Sequence, residues 1–238
     1  MAGRRPVPPA SATAAPVTDR RRTAADGHAP PARLGGRPIL VTGFGPFPGV
    51  ADNPSAALAA ALAACRRHRP ALVAIVLATE WQALAALEGL MRDTAPLAVL
   101  HIGVAPRAAL PRLETRAYNH AARLPDAADA RPQERRLDAA GPTIRRAAAV
   151  PLSAATNGDL RRSLDPGAYL CNATLYRSLA LSPPWRPLAF LHIPPVALRR
   201  GARLGDLRLL AEAIVAGLLR SRHPPRPRAQ SKSAPRAT

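Results

Sequence analysis

The chain has 238 residues, of which 47% are hydrophobic and only 3% aromatic, and these values suit one domain with an aliphatic core. Its formal net charge of +19 comes almost entirely from arginine. The charge is scattered without the interleaved aromatic residues typical of a nucleic-acid interface, and no apolar run reaches membrane-spanning length, so we expect neither a specific nucleic-acid partner nor a membrane partner.

The sequence predicts strands that alternate with helices. Residues 1–36 and 224–238 are rich in Pro, Ala and Arg, and we expect them to be disordered tails around a domain at 37–223. The predicted strands are 38–42, 71–77, 97–103 and 187–193, with a further candidate at 112–118. The predicted helices are 54–68, 81–93, one within 169–180, and 205–221, while 124–149 reads as irregular. Such alternation, with several continuous apolar strands, indicates an open α/β sheet covered on both faces.

A glycine-rich loop, GFGPFPG at 43–49, follows the first strand. A dinucleotide fingerprint needs a glycine where Pro48 stands, and two prolines would block the helix that should follow, so nucleotide binding is not expected. Phe44 and Phe47 could anchor the core or wall a pocket. Because loops at strand ends carry function, we favour pocket walls.

The histidines are scattered, and neither H-E-x-x-H nor paired C-x-x-C spacing occurs, so no metal site or cofactor is expected. His101 lies inside an apolar strand and is interpreted as a hydrogen-bonded core histidine. His192 ends an apolar strand and is followed by Ile-Pro-Pro, a position at the rim of a sheet. A core role and a site role remain equally open for His192 on these grounds.

The chain has two cysteines, too few for a disulfide framework, so we expect a reducing, cytoplasmic setting. Cys65 fits a helix as a small apolar residue. Cys171, in PGAYLCN, sits in a turn that leads into a helix, where the N-terminus favours a thiolate and backbone N–H groups can stabilise an oxyanion. A thiol and an imidazole together make a nucleophile and its base, and Glu114 could orient the imidazole. A buried structural cysteine is the alternative.

Four segments in this order together resemble the pyroglutamyl peptidase I family, a family of cytosolic cysteine peptidases. They are ILVTGFGPFPGVADNPS (39–55), LETRAYNHAARLPD (113–126), PGAYLCN (166–172) and FLHIP (190–194). The resemblance spans nearly the whole domain and neither tail.

The resemblance implies a single three-layer α/β/α domain with a central twisted mixed sheet, and removal of N-terminal pyroglutamate (5-oxoproline) from peptides without cofactor or metal. It implies that Cys171 is the nucleophile, His192 the general base and then acid, and Glu114 the orienting carboxylate. The implied substrate-binding residues are Phe44, Phe47, Asn53 and Arg123. The implied partners are N-terminally pyroglutamylated peptides and further copies of the chain, as a homodimer or homotetramer.

The chain departs from the family pattern in three places. The loop has Pro48-Gly49 in place of two glycines, and a glycine-rich stretch is replaced by GVAPRAALPR at 103–112. The segment 153–165 before the cysteine has few apolar residues, so its strand is either at a sheet edge or missing. The rival hypothesis is therefore a catalytically weak or inactive homologue that acts as a binding protein. A third and remote one is a nucleic-acid-associated protein acting through its arginine-rich tails.

Overall fold

The computed structural model describes residues 37–65, 70–151, 160–195 and 202–221. Both predicted tails, residues 66–68 and most of the segment before Cys171 lie outside the described residues. The first predicted helix ends at Ala63, earlier than the predicted 68. The elements within them are β1 (Ile39–Phe44), α1 (Pro54–Ala63), β2 (Leu72–Leu77), α2 (Ala83–Thr94), β3 (Ala98–Val104), β4 (Arg112–Glu114), β5 (Arg116–Tyr118), β6 (Ile144–Arg146), β7 (Arg161–Ser163), α3 (Leu170–Leu181), β8 (Leu188–Ile193) and α4 (Ala202–Arg220).

Six of these strands form the central sheet in the order β2-β1-β3-β8-β4-β7. The first four run parallel to one another, whereas β4 pairs antiparallel with β8 and parallel with β7. The sheet is therefore mixed, as the resemblance implied. Strands β5 and β6 form a separate antiparallel pair.

Two apolar clusters cover the faces of the sheet. One joins alternate strand residues such as Val41 and Leu191 to α1 and α4. The other joins the intervening residues, such as Leu40 and Phe190, to α2 and α3. The central strands β1, β3 and β8 are buried along their whole length, which explains their continuous apolar sequences. These layers confirm the three-layer α/β/α fold.

Local signals set the bounds of the elements. The Asn53 side chain accepts a hydrogen bond from the N–H of Ser55 and caps α1, which begins with Pro54. Helix α2 ends where Ala95 adopts a left-handed conformation, with φ of 39°. The predicted strand at 112–118 is two strands in different sheets, because the chain breaks its pairing at Thr115. The region 124–149 is irregular as predicted, apart from β6.

The strand before the cysteine is present, and it lies at the edge of the sheet. Strand β7 has three residues, pairs only with β4, and exposes Arg161 and Arg162. Charged side chains suit an edge position and discourage pairing with another chain. The two arginines of β7 are therefore compatible with its place at the edge.

Candidate active site

A cleft of about 650 Å³ opens at the carboxyl ends of the parallel strands. Its lining combines the loops that follow β1, β2 and β3 with the start of α3 and the end of β8. The lining residues are Phe44, Phe47, Asn53, Thr79, Val104, Ala105, Pro106, Arg107, Arg112, Leu124, Asp165, Pro166, Gly167, Tyr169, Leu170, Cys171 and His192. The size is typical of a small-molecule or side-chain pocket.

The imidazole of His192 and the carboxylate of Glu114 form a buried pair in the wall of this cleft. Their Nδ1 and Oε1 atoms are 2.7 Å apart, and the two side chains are 5% and 0% exposed. Glu114 belongs to β4 and His192 to β8, so the pair bridges the point where the sheet changes direction. The bond orients the ring and leaves Nε2 free for another partner.

Cys171 is the second residue of α3, where the chain turns in from Gly167. Gly167 has φ of 80°, a left-handed conformation that favours glycine, and its N–H donates to the carboxylate of Asp165. The Tyr169 carbonyl accepts the first helical hydrogen bond, from Ala173. The N–H groups of the first turn therefore have no helical partner and can stabilise a negative charge at the cleft.

Cys171 and His192 line the same cleft. Burial on its own would lower the pKa of His192, but its charge interaction and hydrogen bond with Cys171, together with the hydrogen bond and charge of Glu114, raise that pKa to about 9. At neutral pH the raised pKa favours the imidazolium form of His192. A thiolate held beside an imidazolium can attack a carbonyl carbon.

Gly103 provides the space under the sulfur. It pairs in register with His192, and a Cβ added there would lie 2.9 Å from the Sγ of Cys171 and 2.9 Å from the ring of Phe190. Ordinary contacts of such atoms are longer than about 3.5 Å. Glycine is therefore required at position 103, because the thiol approaches too closely for a Cβ atom.

Asn172 ties the cysteine turn to β5. Its amide nitrogen donates to the carbonyls of Tyr118 and His120, and its amide oxygen accepts from the N–H of Tyr118, all at 2.8 Å. The side chain is fully buried. These three bonds hold the start of α3 in a fixed position next to the strand that follows Glu114.

Phe44 and Phe47 lie at one end of the cleft, together with Asn53. The ring of Phe44 packs 6.4 Å from that of Phe190, and the Nδ2 of Asn53 donates to the carbonyl of Gly45. This end is mostly apolar, and a flat uncharged ring would fit it. Both residues line the cleft, and Phe44 is also buried in an apolar core cluster, so it has both of the roles that the sequence left open.

The unusual Pro48-Gly49 pair forms a tight turn between the two halves of this loop. Phe47 and Val50 exchange backbone hydrogen bonds in both directions, and Gly49 has φ of 83°. Proline followed by a glycine with positive φ is the sequence expected for a type II turn. The prolines therefore fix the loop in a conformation that keeps Phe47 at the cleft.

Arg123 is exposed and is not among the residues that line the cleft. Its guanidinium donates to the Gln133 carbonyl at 3.4 Å, and its own carbonyl accepts from Arg131. The proposed role near a developing charge stays a prediction. Asp126, from the same motif, is buried and accepts the N–H of Trp81, so it holds the wall that contains Leu124.

Two other interpretations concern residues outside the cleft. His101 is fully buried between the hydroxyls of Thr42, at 2.7 Å, and Ser178, at 2.9 Å, which confirms the core histidine. Burial lowers the pKa of His101 to about 3. Cys65 follows the end of α1, is partly exposed and, like Cys171, is a free thiol.

Sequence reasoning missed three residues that shape the cleft. Thr79 follows β2, and its hydroxyl donates to the carbonyl of Gly45. It could have been predicted, because ligands of open α/β sheets bind beyond the carboxyl ends of the strands. Asn172 was adjacent to the cysteine but was not assigned a role. Arg112 could not have been found, because only the pairing of β4 with β8 brings it beside His192.

Within the described ranges, no group of three or more His, Cys, Asp or Glu side chains could hold a metal ion. Among the helices that the structure describes, none has both the length and the hydrophobicity required to cross a membrane.

Comparison with known proteins places this geometry in a family context. The family model for pyroglutamyl peptidase matches residues 37–218. The fold is similar to pyrrolidone carboxyl peptidase from Thermus thermophilus, with 31% identity over 74% of this chain and 99% of the other, and a TM-score of 0.62. It is also similar to a mutant pyrrolidone carboxyl peptidase from Pyrococcus furiosus (23% identity, 77% and 98% covered, TM-score 0.66) and to pyroglutamyl peptidase I from Bacillus amyloliquefaciens (22%, 76% and 97%, 0.65). A search of curated proteins found no match.

Proposed function

Since this chain belongs to the pyroglutamyl peptidase family of cysteine hydrolases, we propose that it removes 5-oxoproline from the N-terminus of peptides, with Cys171, His192 and Glu114 as its catalytic residues. The observation that carries this proposal is the buried pair of His192 and Glu114, 2.7 Å apart, in a cleft that Cys171 also lines. The two free thiols make a reducing, cytoplasmic setting part of the proposal.

The apolar end of the cleft supports the choice of substrate. A pyroglutamyl ring is flat and carries no charge at its nitrogen, so it needs an apolar slot and a few hydrogen bonds rather than a carboxylate for an ammonium group. Phe44 and Phe47 supply apolar surface, and Asn53 and Thr79 lie beside them in the lining. We propose that the ring binds there.

In the first step the thiolate of Cys171 attacks the carbonyl carbon that joins the ring to the peptide. The carbonyl oxygen becomes an oxyanion, and the N–H groups at the start of α3 are the donors within reach. The Nε2–H of the His192 imidazolium then gives its proton to the leaving nitrogen. The C–N bond breaks, the peptide leaves with a free amine, and the acyl group remains on the sulfur as a thioester.

In the second step water attacks the thioester. His192, now neutral, takes a proton from the water through Nε2, while Glu114 remains hydrogen-bonded to Nδ1 and stabilises the imidazolium that forms. The C–S bond breaks, and 5-oxoproline leaves as the free acid. The thiolate and imidazolium are then restored for the next cycle.

The rival hypothesis of an inactive homologue was motivated by the sequence before Cys171. This argument for an inactive homologue is weaker in the structure, because β7 is present and lies at the sheet edge, where its arginines are compatible with the fold. The turn that presents Cys171 is held instead by Asn172 and by the hydrogen bond between the N–H of Ala122 and the carbonyl of Ala168.

The test is release of a fluorophore from a pyroglutamyl amide under reducing conditions. We expect turnover by the wild-type chain, none by Cys171→Ala, and unchanged turnover by Cys65→Ala, which removes the other thiol. Absence of turnover from folded wild-type protein would contradict the proposed activity and favour the binding-protein hypothesis. Turnover that survives Cys171→Ala would contradict the assigned nucleophile.

A further inference from the structure

Two arginines are among the residues that line the cleft. Arg107, in the turn after β3, is exposed, and Arg112, the first residue of β4, is partly buried. The Nε of Arg112 is buried without a hydrogen-bond partner among the described residues. The ion pairs found among those residues include neither guanidinium, so both positive charges are available to a ligand.

The strand register places Arg112 beside the catalytic pair. Gly103 on β3 pairs with His192 on β8, His192 pairs with Arg112 on β4, and Arg112 pairs with Arg161 on β7. Residues paired in this way share one face of the sheet. A single row of paired residues therefore runs from Gly103 through His192 and Arg112 to Arg161 on the edge strand β7.

This row also gives the direction in which a substrate would extend. Strand β1, which carries Phe44, lies on the opposite side of β3 from β8 and β4. With the ring at the phenylalanine end and its carbonyl at Cys171, the leaving nitrogen must lie near His192 to receive the proton. The peptide after the ring then passes over the start of β4, where Arg112 lies.

Resting on the proposed function, we propose that Arg112, assisted by Arg107, binds a carboxylate on the residue that follows the pyroglutamyl group. The enzyme then favours peptides with Glu or Asp at that position. One carboxylate, that of Asp165, also lines the cleft, but its Oδ1 accepts the N–H of Gly167. With two guanidiniums and one carboxylate, the Asp and Arg side chains of the lining have a net positive charge.

The test compares two peptides of equal size, pyroglutamyl-glutamate amide and pyroglutamyl-glutamine amide, by chromatographic assay of released 5-oxoproline. We expect the wild-type chain to have a kcat/KM about tenfold higher for the glutamate peptide, as for one charge-assisted hydrogen bond. The ratio should fall close to one in Arg112→Gln and recover in part in Arg112→Lys. Arg146→Gln, a matched change at the exposed residue of β6, should leave the ratio at its wild-type value.

A binding measurement separates this proposal from the proposed activity. Calorimetry with Cys171→Ala gives dissociation constants for both peptides without turnover, and tighter binding of the glutamate peptide is expected. Turnover with equal kcat/KM for the two peptides would overturn the cationic subsite and leave the peptidase intact. Tighter binding of the glutamate peptide without wild-type turnover would overturn the peptidase activity and leave the cationic subsite intact. Equal binding of the two peptides, or no binding of either, would overturn the subsite.

A second variant guards against misfolding of Arg112→Gln. Arg107→Gln changes an exposed turn residue outside the strands and should lower the glutamate preference by about threefold. An unchanged preference in both variants would overturn the proposal.

Discussion

Replacement of Glu114 by glutamine tests whether the charge of this carboxylate raises the pKa of His192. The pKa of His192 is about 9, although burial alone would lower it below its usual 6.5. The difference corresponds to roughly 3 kcal/mol of stabilisation of the imidazolium, because one pKa unit is worth about 1.4 kcal/mol. Cys171 and Glu114 both raise this pKa against the effect of burial, and Glu114 does so through its charge and its 2.7 Å hydrogen bond.

Glutamine keeps the length of the side chain and removes its charge. The imidazolium donates the proton in the first step, so kcat/KM of the wild-type chain should fall as pH rises through about 9. In Glu114→Gln the pKa of His192 moves toward its usual value, and this alkaline limb should shift down by about one pH unit. The maximal rate should fall about a hundredfold or more, because an amide can also hold the wrong tautomer of the ring.

The assay is a pH profile of kcat/KM for a pyroglutamyl amide between pH 5 and 10, with circular dichroism to verify folding. Glu88→Gln is the matched control, since Glu88 pairs with Arg92 and Arg177 on α2 and α3 and does not line the cleft. An alkaline limb that stays in place in Glu114→Gln would refute the assigned role of the carboxylate, whatever the loss of rate.

Three further predictions concern the scaffold. Gly103→Ala places a methyl group 2.9 Å from the sulfur of Cys171 and should lower kcat/KM about tenfold or more in a folded protein, measured together with the rate of thiol alkylation. Asn172→Ala leaves three backbone groups without their bonds and should lower the free energy of unfolding in urea by about 2–4 kcal/mol. The folded-state pKa of His101 is about 3, so the unfolded chain protonates this histidine at a higher pH than the folded chain does. The free energy of unfolding should therefore fall as pH drops below 6.5, by up to about 1.4 kcal/mol per pH unit. Urea unfolding at pH 7 and 4.5 checks this, and an equal loss in His101→Gln would contradict it.

The strands and helices followed closely from the sequence because their signals are local. Continuous apolar runs gave β1, β3 and β8 within two residues at each end, and Pro54 marked the start of α1. The short strands did not follow in the same way. The pattern of 112–118 is one alternating run, and only tertiary pairing divides it, with Glu114 in the large sheet and Tyr118 in the small one.

The sequence predicted those residues of the candidate site whose side-chain type has a characteristic chemical role. It did not predict residues that belong to the site only because of their position in the fold. Cys171, His192 and Glu114 stand in segments that match a family pattern, and in the structure Cys171 and His192 line one cleft while Glu114 is hydrogen-bonded to His192. Arg123 matches the same pattern, yet it is exposed and its role remains a prediction. Arg112 has an ordinary surface residue type, so its place beside His192 becomes visible only through the register of β4 against β8.

That register also explains why the imidazole can serve two partners. Glu114 pairs with Phe190, two residues before His192 on β8, so the carboxylate lies deeper in the sheet than the histidine backbone. The histidine ring reaches it by folding back over Phe190, with ring centroids 4.8 Å apart. Nδ1 is thereby directed down to the buried carboxylate, and Nε2 is left for the thiol at the start of α3. Were β4 shifted by one residue, Glu114 would move to the opposite face of the sheet, and the pair could not form.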